Sequence, residues 1–127
     1  MAADDPSRGP EISHRDADGR PACPMEGLLR LLSGPWTTYL LYVLQRDGPQ
    51  RFLALKRAIP GISARLLTDR LRRLEEAGLV WRRVEPTRPP RVTYGLTDKG
   101  LELRSALVAL EEVAARWQAR EAGGRDQ

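Results

Sequence analysis

The sequence predicts a mainly α fold with one small β-hairpin near its C-terminal end. Three observations carry this. Apolar residues recur at helical spacing in several short stretches. Two short runs that alternate apolar and polar residues flank "TRPP", residues 87–90. A tight "PGIS" turn, residues 60–63, joins two of the helical stretches.

Residues 1–22 are rich in Asp, Arg, Pro and Gly and hold few large apolar side chains. Burial there cannot offset the entropy of ordering, so a disordered tail is expected. "CPMEGLLRLLSG" opens the folded part, with Pro24 suited to a first helical position and Gly34 to a stop. Leu28, Leu29, Leu31 and Leu32 make that helix strongly apolar. In "PWTTYLLYVLQRDG", Trp36, Leu40, Val43 and Leu44 share one helical face, and Gly48 closes it. "PQRF" is a connection or a very short strand, and "FLALKRAI" is a short helix ended by Pro60 and Gly61.

Ser63 stands where an N-cap belongs, and the helix it opens carries Leu67, Leu71 and Leu74 before Gly78 stops it. Val80, Arg82 and Val84 alternate along one strand, and Val92, Tyr94 and Leu96 along the return strand. Thr97 caps a single terminal helix in which Leu103, Leu107, Leu110, Ala114 and Trp117 are spaced 4, 3, 4, 3. That spacing fits the seam of a coiled coil or a stripe buried against the domain's own core. The folded domain is expected over residues 23–120, with residues 121–127 disordered after Gly123 and Gly124.

Charge is localised. The chain of 127 residues has a formal net charge of +4. From Arg51 to Arg91 there are eleven Lys/Arg against four Asp/Glu, a net of +7, which leaves ten against thirteen, or −3, for the rest. A basic middle between mildly acidic flanks attracts polyanions. The lone cysteine, Cys23, rules out an intramolecular disulfide and fits a reducing compartment. The first residues have no apolar core of a secretory signal, and the run "YLLYVL" is far short of the roughly 20 residues that span a bilayer. A cytoplasmic protein without a membrane partner is expected. His14 is the only histidine, and no Ser/His/Asp set, paired carboxylates or glycine-rich phosphate loop stands out. Neither an enzyme nor a metal or cofactor protein is indicated.

Helix, helix, short helix, tight turn, capped helix, hairpin and terminal helix is the order of a helix-turn-helix followed by a wing. On a helical wheel the leucines of residues 63–77 fall on one side. Ser63, Arg65, Thr68, Asp69 and Arg72 face the other, as a helix reading the major groove requires. Arg65 lies in the first turn, where its charge opposes the helix dipole, a cost that DNA phosphates would offset. In the wing, residues 81–94, Arg88 and Arg91 bracket two prolines and are placed to reach the backbone or a minor groove. Lys56, Arg57 and Arg51 are candidate phosphate contacts.

These residues resemble those of the HxlR-type winged helix-turn-helix transcriptional regulators, a group close to the MarR regulators. "CP" before a leucine-rich helix, a tryptophan after a glycine turn, "PGIS", "LEEAGL" and "PPRVTYGLT" occur in the family's order, over roughly residues 23–117. The resemblance implies a homodimeric cytoplasmic regulator, most simply a repressor, on a pseudo-palindromic DNA operator. It implies first and last helices that form the interface through Leu28, Leu103, Leu107, Leu110, Ala114 and Trp117. It further implies that Cys23, just before the first helix, senses oxidants or electrophiles. Pro35 departs from the pattern, which has a basic residue between the glycine turn and the tryptophan. Two alternatives stay open: a winged-helix module that binds protein and not DNA, and a regulator controlled by a small-molecule ligand instead of by Cys23.

Overall fold

The computed structural model describes residues 23–125, so the tail expected over residues 1–22 lies outside it. Nine elements follow in order: α1 (Pro24–Leu32), α2 (Thr37–Asp47), β1 (Gln50–Arg51), α3 (Phe52–Ala58), α4 (Ala64–Glu76), β2 (Val80–Glu85), β3 (Arg91–Leu96), α5 (Asp98–Leu101) and α6 (Arg104–Arg125). They make a winged helix-turn-helix.

The core is built from the stripes that the spacing marks. Leu40, Leu41, Val43 and Leu44 of α2 meet Leu55 of α3 and Leu67, Leu71 and Leu74 of α4. Ile59, Ile62, Leu79, Val80 and Tyr94 close it from the turn and the sheet. Each such leucine contributes about 2 kcal/mol by leaving water. The packing therefore fixes α4 by its leucine side and leaves its opposite face to solvent.

The short segment before α3 is a strand. Gln50 pairs with Tyr94 and Arg51 with Thr93, giving an antiparallel sheet of order β1-β3-β2. The wing is thus held at its base by a third strand, and β1 runs straight into α3, with Arg51 as N-cap.

Two expectations about the terminal helix need correction. It is not one helix. Leu103 N–H donates to Gly100 O at 3.1 Å, a three-residue spacing, before four-residue bonding resumes from Leu107 to Leu103 at 2.9 Å. The cause is tertiary: Gly100 lies so close to the Leu79 carbonyl that any side chain would overlap it. This approach holds α5 against the sheet, and α6 starts afresh. The helix also continues through Gly123 and Gly124 to Arg125, beyond the boundary expected at residue 120. A glycine costs about 1 kcal/mol in a helix but keeps its N–H, and propagation is easy once a helix has formed.

The 4-3-4-3 stripe divides. Leu107 is 4% exposed and belongs to the protomer's own core, and Leu103 packs against that core. Leu110 and Trp117 are 57% and 61% exposed, and Ala114 is exposed beside them. Leu107 is therefore chiefly a core residue, while the exposed part of the stripe is Leu110, Ala114 and Trp117. Leu28 of α1 is half-buried.

Candidate nucleic-acid interface

The helix-turn-helix is α3, the Pro60–Gly61 turn and α4, with Gly61 at φ +90°. Ser63 caps α4: its Oγ accepts the Leu66 N–H at 3.1 Å. The hydroxyl proton stays available to an outside acceptor. Thr68 is exposed, but its Oγ1 donates to the Ala64 carbonyl at 2.8 Å. It therefore offers its methyl group and oxygen lone pairs outward, not its proton.

Arg65 and Arg72 are exposed on the same face as Thr68. Arg65 is in the first turn of α4, which holds no acidic residue to match the dipole. Asp69 is half-buried, and its Oδ2 lies 3.1 Å from Arg73 Nε and 3.6 Å from Arg70 Nη1. That carboxylate serves neighbouring arginines of its own helix, which lowers its repulsion toward a polyanion.

One hollow borders this face, and a second lies between the start of α3 and the wing. The first, about 560 Å³, is lined by Thr68, Arg72, Glu75 and Glu76 of α4 and by Arg82 and Tyr94 of the sheet. Arg82 thus joins the α4 surface, a placement its strand position alone did not indicate. The second, about 440 Å³, brings Arg51, at the start of α3, together with Arg88 and Arg91 of the wing. Residues far apart in sequence become one cationic group there because β1 pairs with β3. Lys56 and Arg57 are exposed in the last turn of α3 and line neither hollow; there they also complement the helix dipole. Arg83 is engaged within the wing, 5.5 Å from the Trp81 ring and 3.9 Å from Glu85.

Arg70 behaves unlike the other arginines of α4. It is 7% exposed, and its Nε donates to the Pro35 carbonyl at 3.2 Å. The basic composition of the helix counted it with the polyanion-facing charges; the structure turns it inward.

Cys23 is exposed and is the N-cap residue of α1, with no side-chain cap bond. Its carbonyl accepts the Glu26 N–H at 3.0 Å. Glu26 is buried, and its Oε1 accepts from Arg30 at 3.3 Å. Among the described residues no group of His, Cys, Asp and Glu is arranged to hold a metal ion, and no helix is long and apolar enough to cross a membrane.

The family model described as HxlR-like helix-turn-helix matches residues 31–122. The chain belongs to that family. The HTH-type transcriptional regulator YodB of Bacillus subtilis is 38% identical over 94 residues, 73% of this chain and 83% of YodB. A relative from Methanothermobacter thermautotrophicus, also named as an HTH-type transcriptional regulator, is 43% identical over 90 residues, 71% of this chain and 68% of its own. Among solved structures, the reduced form of YodB aligns with TM-score 0.64 at 39% identity, covering 72% of this chain and 90% of YodB. The redox regulator HypR in its oxidized form aligns with TM-score 0.69 at 37% identity, covering 74% of this chain and 96% of HypR. The HxlR-like match spans α2 to most of α6, so it takes in the capped helix α4 and the wing.

Proposed function

We propose that this protein is a homodimeric, sequence-specific DNA-binding transcription regulator that represses by occupying its operator. The observation that carries the reading is the division of α4. Its leucines are buried while Arg65, Thr68 and Arg72 are exposed on the other side, with Arg82 beside them and a second cationic group, Arg51, Arg88 and Arg91, between the start of α3 and the wing. Arginine pairs bidentately with guanine, and a threonine methyl suits the thymine methyl. The Ser63 hydroxyl proton and the wing arginines suit phosphate oxygens.

Dimerisation is supported by apolar surface on the terminal helices. Met25 and Leu29 of α1 and Leu110 and Trp117 of α6 are exposed. A groove of about 410 Å³ between α2 and α6 is lined by Thr38, Tyr39, Tyr42, Leu107, Leu110, Glu111 and Ala114. Apolar surface of this kind marks an interaction site, here for a second copy.

Control by Cys23 is the finer part of the reading. An exposed thiol at the start of α1, next to the proposed interface, is open to oxidation or alkylation. With one cysteine per chain, two thiols of a dimer would lose two electrons and two protons to an oxidant in forming one disulfide. A mixed disulfide or an alkyl adduct would act at the same atom. Displacement of α1 would then change the spacing of the two reading helices. The α2–α6 groove gives the second reading, an apolar ligand seated at the dimer contact.

Selection from a randomised duplex library tests the function. The reading requires enrichment of an inverted repeat with half-sites about one helical turn apart. Recovery of unenriched sequence would leave a protein-binding module.

A further inference from the structure

Three consecutive residues of the α1–α2 turn grip the helix-turn-helix. Arg70 leaves α4 beside the leucine stripe, away from Arg65 and Arg72, and its Nε donates to Pro35 O at 3.2 Å. Its guanidinium lies over Gly34, where a Cβ would stand 3.6 Å from Cζ and from both terminal nitrogens. On the other side of Pro35, Trp36 adopts φ +73°, a left-handed conformation that bulky residues avoid. Its indole packs against Gly61, 3.7 Å from where a Cβ would be. The turn therefore holds α4 through Arg70 and the preceding turn through Gly61.

We propose that Arg70 is a positioning residue for DNA reading: it locks the pitch of α4 to the α1–α2 turn and touches no phosphate itself. The inference rests on the reading of α4 as the DNA-reading helix. A guanidinium that is 7% exposed depends on the acceptors it has. If the turn moved away from α4, the buried charge would lose the Pro35 carbonyl, so the two move together. Asp69 Oδ2, 3.6 Å from Nη1, holds the same group from within α4. A displacement of α1, whether by chemistry at Cys23 or by a change at the dimer contact, thus has a physical route to α4. The proximity of Gly34 adds a steric condition, because the guanidinium occupies the space above that backbone.

The test compares Arg70→Met and Arg70→Lys with wild type and with Arg88→Ala. The probes are the duplex that wild type selects from a randomised library and a random duplex of equal length, each at several salt concentrations. Arg70→Met is expected to lose roughly ten-fold in affinity for the selected duplex while holding the random duplex unchanged. Its salt slope should equal that of wild type, because no phosphate contact is lost, whereas Arg88→Ala should lower the slope by about one. Arg70→Lys should recover part of the preference, and if Arg70→Met does not fold, Arg70→Lys carries the comparison alone. Wild-type preference in the Arg70 variants, a shallower salt slope, or equal loss on both duplexes with a lowered melting temperature would overturn the proposal. Failure of wild type to select any duplex is a separate result: it removes the DNA reading itself and this inference with it.

Discussion

Trp81 packs its indole over Gly95, its cross-strand partner in the β2–β3 hairpin, so closely that a Cβ on Gly95 would overlap the ring. Arg83 then sits 5.5 Å from the same ring. The shape of the wing depends on this absence of a side chain. Gly95→Ala should force Trp81 or the strand to move and destabilise the protein by about 1–3 kcal/mol. Thermal unfolding monitored by tryptophan fluorescence measures it, and an unchanged midpoint would mean that Trp81 repacks freely.

Ser63 separates capping from DNA contact. Ser63→Ala should cost about 1 kcal/mol through the lost bond to the Leu66 N–H. Ser63→Asp should keep the cap and restore the stability, yet weaken DNA binding by placing a carboxylate beside phosphate. If both variants bound DNA like wild type, Ser63 would be a cap alone.

Arg65 and Arg88 should differ in kind. Arg65→Ala should weaken binding to the selected duplex by about 1–3 kcal/mol and relax specificity at one base pair. Arg88→Ala, in the cationic group at the wing, should weaken all duplexes alike and reduce the salt slope by about one. Anisotropy titrations on both duplex types distinguish these outcomes.

The divided stripe of α6 gives a paired prediction. Leu107→Glu would bury a carboxylate in the core and should unfold the protomer. Leu110→Glu and Trp117→Glu alter exposed positions, so each should leave the fold intact and yield monomers by sedimentation velocity. Dimers that persist in both would place the interface elsewhere.

Much of this arrangement is legible in the amino-acid order, because the responsible interactions are local. The Leu67, Leu71 and Leu74 spacing and the Ser63 cap need only one turn of helix to be recognised, and both stand in the structure. The reach of Arg70 to a carbonyl 35 residues earlier leaves no local trace, since a backbone acceptor has no residue type. The break before α6 comes from the approach of Gly100 to Leu79, which only the folded sheet creates. A two-residue strand such as Gln50–Arg51 has no period to read, yet its pairing with β3 is what gathers Arg51 with the wing arginines. The terminal stripe was ambiguous for a physical reason: one apolar spacing serves both the protomer's core at Leu107 and an exposed surface at Leu110 and Trp117.

Two copies of α4 are expected to read one duplex. The most direct measurement is a titration of the library-selected duplex by analytical ultracentrifugation at several salt concentrations, with a random duplex alongside. Two protomers per selected duplex are expected, with affinity that falls steeply with salt. The selected duplex should be preferred over the random one by about 10³-fold or more, on the order seen for specific sites. A single protomer per duplex, or equal affinity for both duplexes, would contradict this reading.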